Sequence, residues 1–410
     1  MTSVRGAKVG IIGGSIAGCA AATALSRLGC EVEIFERSAR TLRDRGSGIA
    51  LPGDLERELK EAGYLPTDHH ALDMTHRAWM LADGSPCGRQ LWLQRTGHAR
   101  AQNWGLLWQA LRENVPDAVY RAGVALEGFS ADADGVTAGF SDGAERRLDL
   151  LVAADGYRSA VRTQLTRSVP QYAGYILWRG NYPESRVGGS PQLKRVSGLG
   201  GWSTICFPGG QGVYYPIPDV DGGRRVNWAI YAPKPPELVL DGPASVPPGA
   251  VDGALYAHLD ALLTAYFPPD HAALVRQSPP AEVSIQPIYD EEVDHYVHGR
   301  VALIGDAGTV TRPHTGSGAT KALRDARCLE LLGQAHDDLD DLLAAYGQAR
   351  SEAGRTLVRV GKNIGRGQVE DTPPWDRMTP ADFERWTAGM LAGDSLYLFD
   401  DGEHEGRTSA

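Results

Sequence analysis

The sequence predicts an α/β fold with an inserted, mostly antiparallel sheet and a helical C-terminal end, and three observations carry that prediction. Residues 8–37 read as strand, glycine-rich turn, helix and second strand. Two later apolar strands, at residues 150–154 and 301–304, each run directly into a loop that carries a glycine and an acid. Between them, residues 172–231 change to short, aromatic-rich strands at 175–180, 202–207, 213–217 and 226–231, for which an antiparallel sheet is the economical reading.

The first stretch is the most informative. Residues 9–12 have strand length and β-branching, and Gly13-Gly14-Ser15-Ile16-Ala17-Gly18 follows at once. Ala17, Ala21, Ala24, Leu25 and Leu28 recur at helical spacing, small residues first, until Gly29 stops the helix. A second strand at 32–35 ends in Glu36, 23 residues after Gly13. This is the arrangement of a Rossmann-like dinucleotide site: Gly13 gives the tight turn, Gly18 the close helix packing, the first helical amides face an anion, and the acid meets a ribose. Ser15 stands where the fingerprint usually has its middle glycine. The stretch alone leaves NAD and FAD both open.

Length and composition narrow the class. A chain of 410 residues exceeds one ordinary core and predicts two or three folding units. The net charge of −10, without clustered Lys and Arg, points away from nucleic acid and anionic membrane and toward a small-molecule partner. Cys19, Cys30, Cys87, Cys206 and Cys328 are scattered, with no C-x-x-C pair, and read as free thiols. With no apolar run of 18 residues and an N-terminus that enters its first strand directly, the expected location is the cytoplasm. No metal-ligating cluster or Ser-His-Asp pattern stands out, and no internal repeat is visible.

Taken in order, residues 43–52 read as a loop, 55–62 as a short helix, and the polar, weakly periodic 67–97 as two short strands around Trp79 and Trp92. Asn103 is placed to cap a helix carrying Leu106, Leu107, Ala110 and Leu111. Strands follow at 124–129 and 136–140, turned by Ser141-Asp142-Gly143. The strand at 150–154 ends in Asp155-Gly156, followed by Ser159 and Arg162. A Pro- and Gly-rich loop at 233–249 precedes a helix around Leu255, Leu259, Leu262 and Leu263. The strand at 301–304 ends in Gly305-Asp306, and Gly316-Ser317-Gly318 opens a helix carrying Ala322, Leu323, Ala326 and Leu329. Residues 338–365 read as one long helix or two, and 403–410 as a frayed tail.

In an open α/β sheet, ligands bind beyond the carboxyl ends of the strands, and convergence of the three glycine-and-acid loops on one extended ligand would explain all of them. Three motifs resemble a known family at this point: Gly13 to Gly18 with Glu36, Asp155-Gly156 with Ser159 and Arg162, and Gly305-Asp306 with Pro313, Gly316 and Gly318. They resemble the single-component FAD-dependent aromatic hydroxylases, the class A flavoprotein monooxygenases of the para-hydroxybenzoate hydroxylase fold, over residues 8–332. Within that family, Tyr172-Ala173-Gly174-Tyr175, Trp178-Arg179-Gly180, Tyr215-Pro216-Ile217-Pro218 and Arg312-Pro313-His314 are most similar to the 2,6-dihydroxypyridine 3-hydroxylase subfamily.

The resemblance implies a discontinuous FAD-binding domain (1–72, 100–170 and 285–335), a substrate domain (73–99 and 171–284) and a C-terminal helical segment (336–400). It implies that Gly13, Ser15, Ile16 and Gly18 approach the FAD pyrophosphate and that Glu36, with Arg37 beside it, holds the adenosine ribose. Arg45, Ser47 and Gly48 would run beside the isoalloxazine, Asp155 and Gly156 would serve FAD and NAD(P)H handling, and Asp306 would bind the ribityl chain or its phosphate. Gly316 and Gly318 would bring backbone amides to the flavin pyrimidine, with Pro313 a cofactor-site residue of the same motif. Trp104 stands where relatives commonly have a FAD-contacting Arg.

The activity implied is reduction of FAD by NADH or NADPH, reaction with O2 to a flavin C4a-hydroperoxide, and hydroxylation of an electron-rich aromatic or N-heteroaromatic small molecule. An oxidase or reductase on the same fold, without oxygen insertion, is the alternative. His314 is the candidate proton acceptor or a pocket wall, Tyr215 a substrate hydrogen-bond partner or a buried sheet aromatic, and Arg179 a partner for an anionic substrate or a strand-edge ion pair. The chain is expected to be a monomer or homodimer.

Overall fold

The computed structural model describes residues 2–43, 47–198, 201–240, 242 and 244–399. The first sheet runs in the order Val297–His298, Val301–Leu303, Leu150–Ala153, Lys8–Ile12, Glu31–Glu36, Tyr120–Ala122. All neighbours are parallel except the pair Val297–His298 and Val301–Leu303. Ile12 lies opposite both Ala153 and Phe35. Parallel strands end on a common edge, so the loops that begin at Gly13, Asp155 and Gly305 leave three adjacent strands side by side. The strands are apolar because the helix Ile16–Arg27 and a small sheet of Leu126–Asp132, Gly135–Phe140 and Glu145–Leu148 cover them, with Phe140 stacked on Phe35 at 3.9 Å.

The second sheet has eight strands, in the order Ser284–Asp290, Gln171–Pro183, Arg224–Pro233, Gly210–Pro218, Gly201–Phe207, Leu72–Leu81, Arg89–Asn103, Gly48–Pro52. It is antiparallel apart from the pairing of Leu72–Leu81 with Gly201–Phe207. Two expectations are corrected here. Residues 48–52 form an edge strand rather than a loop, paired with 99–103, and Pro52 sits where an edge tolerates a missing donor. Leu72–Leu81 and Arg89–Asn103 are long strands whose pairing shifts register between Met74 and His76 and again between Trp79 and Met80, which erases a simple alternation. Gly48–Pro52, residues 100–103 and Ser284–Asp290 therefore hydrogen-bond in the larger sheet.

The helices Gly253–Tyr266 and Pro269–Val275 supply the apolar cover of one part of this sheet. A second part is covered by the C-terminal helices. Residues 339–365 form one helix, Leu339–Gly365, capped by Asp338, whose carboxylate accepts from Asp340 N at 2.9 Å. The last helix, Pro380–Leu391, starts with a Thr379/Asp382 capping box and packs Phe383 and Met390 with Trp79 and Trp375. The expected frayed tail lies outside the described residues. Among those described, no helix is long and apolar enough to cross a membrane.

Candidate active site

Local chemistry fixes the first loop. Gly13 has φ +103°, and a Cβ there would lie 2.4 Å from the Ala154 carbonyl oxygen; at Gly18 it would lie 1.9 Å from the Gly13 carbonyl oxygen. The Gly14 peptide is held from both sides: its N–H donates to Glu36 Oε2 at 2.8 Å, and its carbonyl accepts from Trp108 Nε1 at 2.9 Å and Tyr120 Oη at 3.2 Å. The helix Ile16–Arg27 then begins at Ser15 with no side-chain cap and no acid in its first turn. Its leading amides are left to a ligand, where the helix dipole favours an anion.

The second and third loops are tied to each other. Asp155 Oδ2 accepts from Ala160 N at 2.8 Å, while buried Oδ1 has no partner among the described residues and burial raises the carboxyl's pKa. Ser159 caps the next helix by accepting from Arg162 N at 2.9 Å. The buried Arg162 side chain pairs with Glu291 at 2.6 Å and donates to the carbonyls of Tyr157, Asp306 and Ala307 at 2.7, 2.9 and 3.0 Å. Behind Asp306, the fully buried Lys321 lies 3.5 Å from its carboxylate and donates to the carbonyls of Gly305 and Thr309. Gly316 adopts φ +63° as the cap before the helix Ser317–Ala335.

These loops open on one cavity of about 340 Å³. Ser15, Ile16, Gly48, Gly156, Asp306, Pro313, His314, Gly316, Gly318 and Tyr215 line it. Gly13, Gly18, Glu36 and Asp155 are not among its lining residues. Glu36 spends one lone pair on each of Gly14 N and Ser38 N, at 2.8 Å each. Arg37 is exposed and Ser47 accepts from Trp104 N at 3.1 Å; neither lines the cavity. Arg45 lies outside the described residues.

The opposite wall is one face of the larger sheet. Leu177 and Arg179, then Gln211, Val213 and Tyr215, then Asn227, Ala229 and Tyr231, alternate along three neighbouring strands with the two-residue period of a pleated surface. Tyr215 packs edge-on against Trp202, and burial raises its pKa, so it presents a neutral hydroxyl. Gly48 is held to this wall by donating to Asn227 Oδ1 at 2.9 Å.

His314 lines the cavity among polar and aromatic partners. Its Nε2 is 2.8 Å from Tyr175 Oη, its Nδ1 is 2.9 Å from Gln211 Nε2, and its ring stacks on Tyr231 at 4.0 Å. Burial first, then the cations Arg312 and Arg77, push its pKa down to about 3. His314 is therefore a neutral ring with both nitrogens engaged. Sequence reasoning missed Gln211 and Arg77 and gave Tyr175 no role beyond its motif, because their importance arises only when distant strands meet; it also left Lys321 unnoticed inside a helix.

The cavity fits FAD on these observations: a glycine cradle that a Cβ would fill, uncapped helical amides at one end, and a left-handed glycine turn facing a flat aromatic wall at the other. Comparison with known proteins agrees. Residues 6–179 match the model of the FAD binding domain. The chain is 28% identical to 2,6-dihydroxypyridine 3-monooxygenase of Paenarthrobacter nicotinovorans, covering 87% of this chain and 90% of that protein. It is 30% identical to aurachin C monooxygenase/isomerase of Stigmatella aurantiaca, covering 89% and 91% respectively. The solved structure of 2,6-dihydroxypyridine-3-hydroxylase from Arthrobacter nicotinovorans superposes with a TM-score of 0.79 at 25% identity, over 93% of this chain and 96% of that one. With the glycine cradle, the linked acid loops and this full-length similarity together, the chain belongs to the FAD-dependent aromatic monooxygenases.

Proposed function

We propose that this protein uses NADH or NADPH and O2 to hydroxylate an electron-rich aromatic or N-heteroaromatic small molecule, of the kind its 2,6-dihydroxypyridine relative is named for. The observation that carries this reading is the meeting of three strand-end loops with one aromatic sheet face on a single cavity. The division of labour follows: the glycine-loop segments form the FAD-binding domain, the larger sheet the substrate domain, and residues 336–400 the helical cover.

FAD held there would supply the redox chemistry that links the nicotinamide, O2 and the aromatic ring. The protein's own residues do the rest. Amides of Ser15, Ile16 and Ala17 hold the diphosphate, Glu36 the adenosine ribose, Asp306 the ribityl side, and the Gly316–Gly318 backbone the pyrimidine edge. Tyr215 orients the substrate hydroxyl through its own neutral hydroxyl. Neutral His314, locked by Gln211 and Tyr175, fixes the wall and adds no charge. Tyr231, Val213 and Ala229 keep water from the reacting ring. We place the protein in the cytoplasm as a monomer or homodimer, without a nucleic-acid or membrane partner.

The test is direct. Purified protein is expected to be yellow and to consume NADH or NADPH faster when hydroxypyridines or phenols are added, with the label of isotopic O2 appearing in the product. A colourless preparation that cannot be loaded with FAD would overturn the reading, and turnover with unlabelled product would assign an oxidase instead.

A further inference from the structure

Five arginines are buried among the described residues: Arg77, Arg162, Arg300, Arg312 and Arg350. Four have carboxylate partners: Arg162 with Glu291 at 2.6 Å, Arg300 with Asp340 at 3.0 Å, Arg312 with Asp290 at 2.9 Å and Arg350 with Asp325 at 2.6 Å. Arg77, 3% exposed, has none among the described residues. A buried cation without a counter-charge is costly and is kept where a function needs it.

The surroundings of Arg77 define what it can take. It stands opposite Trp202 in the parallel strand pair, just past the register shift at Met74/His76, and lines the cavity with Met74 and Trp202. Its Nε donates to Thr204 Oγ1 at 2.8 Å. Its guanidinium lies 3.9 Å from the ring centre of Trp79, 4.5 Å from that of Trp202 and 5.2 Å from that of Phe399. These ring faces offset part of the charge and hold the plane, but none is a hydrogen-bond acceptor of ionic strength. The titratable neighbours Cys206, Tyr231 and His314 are all neutral at ordinary pH, the thiol and hydroxyl pushed up by burial and the imidazole pushed down. Arg77's two terminal nitrogens have no protein acceptor among the described residues. With Nε spent on Thr204, they form a fork of the shape that matches a carboxylate with two parallel bonds. Arg179, on the same wall, makes only long contacts to Gly48 O at 3.4 Å and Gln286 Oε1 at 3.5 Å, and raises the positive field without competing for that geometry.

Resting on the hydroxylase reading above, we propose that Arg77 is the anion-recognition residue of the cavity and that the hydroxylated compound carries a carboxylate on its aromatic ring. The ring lies against Trp202 and Tyr215 while the carboxylate completes the buried guanidinium.

Flavin-loaded protein titrated with hydroxybenzoates and hydroxypyridine carboxylates, each beside its primary amide, tests this. Binding is read from the flavin absorbance and, separately, from tryptophan fluorescence, since Trp202 and Trp79 border the site. Acids are expected to bind at least about tenfold more tightly than their amides, the worth of a charge-assisted contact. That preference is expected to fall to within about twofold in Arg77→Met and to drop markedly in Arg77→Lys, which keeps the charge and loses the fork. Arg179→Gln is expected to keep most of it. Melting temperatures of the variants identify any that fail to fold, and the lysine variant then decides. Equal binding of acid and amide by the unaltered protein, no binding of any acid, or a preference that survives loss of Arg77 would each overturn the proposal. If FAD cannot be loaded, the monooxygenase reading fails, while the fluorescence still reports whether acids are selected.

Discussion

Arg162 Nη1 donates to the main-chain carbonyl of Asp306 at 2.9 Å, across 144 residues of sequence. With the bonds to Tyr157 and Ala307 it makes the second and third strand-end loops one rigid edge of the cavity. The same guanidinium neutralises buried Glu291, so removing it strands a charge.

Arg162→Met is expected to destabilise the fold by about 3–5 kcal/mol, the usual consequence of breaking a buried pair from one side. Adding Glu291→Leu should recover most of that stability, because no charge is then left buried. FAD retention should not recover with it, because the Asp306 and Ala307 carbonyls remain unpinned. Urea unfolding and flavin content per protein, measured on the same samples, separate the two effects. If the double variant regained both, the link between the loops would have no part in holding the cofactor.

The glycines divide sharply by what surrounds them. At Gly18 a Cβ would sit 1.9 Å from a backbone carbonyl oxygen, which only a shift of helix against strand can relieve, whereas at Gly318 it would meet nothing within 4 Å among the described residues. Gly18→Ala should cost about 1–3 kcal/mol and most of the bound FAD. Gly318→Ala, in the first turn of a helix, should leave the apo fold as stable as before or slightly more so. Thermal unfolding of the FAD-free proteins checks the contrast, and equal losses at both positions would contradict the packing described for Gly18.

Much of this was legible locally. Gly13, Asn103 and Gly316 announce themselves because the turn, cap or left-handed residue each provides depends on its near neighbours; Asn103 Oδ1 does accept from Gly105 N at 2.9 Å. The three acids at strand ends needed only the rule that parallel strands end on one edge. What stayed hidden depends on register. Arg77 falls beside two bulges that break the alternation of its strand, so its facing cannot be counted from the sequence. His314 looks like a free base until Gln211 and Tyr175, 103 and 139 residues away, are seen to take both its nitrogens.

Asp306 offers a cleaner test of cofactor binding than any glycine. Its side chain is 44% exposed to the cavity edge, and Lys321 behind it keeps the carbonyls of Gly305 and Thr309 as partners when the carboxylate goes. Asp306→Ala leaves the buried ammonium without its nearest carboxylate and should cost about 1–3 kcal/mol of folding stability, less than the loss at Arg162. It should weaken FAD binding by roughly tenfold or more, as expected for loss of a charged acceptor. Equilibrium titration of apo protein with FAD measures this, and unchanged affinity would move the ribityl contact to another residue.

His314 sets a pH signature in folding stability rather than in rate. Its folded pKa of about 3 lies below the ordinary 6.5 because burial and then Arg312 and Arg77 disfavour the imidazolium. Between those values the unfolded chain binds a proton that the folded chain refuses, so stability is fully present above pH 6.5 and falls as the pH drops toward 3. One such ring contributes a slope of about 1.4 kcal/mol per pH unit within that window. His271, pushed down to about 4 by burial, contributes a second over its own range. His314→Gln, which can still bond to Tyr175 and Gln211, should remove one proton's worth of that slope in urea unfolding between about pH 4.5 and 6.5. Because the ring is already neutral throughout, the same substitution should introduce no new inflection in the hydroxylation rate above pH 6.5. A rate that rises through an apparent pKa near 6.5 in the unaltered protein, and loses that rise in His314→Gln, would show that the ring takes up a proton during turnover despite its two partners.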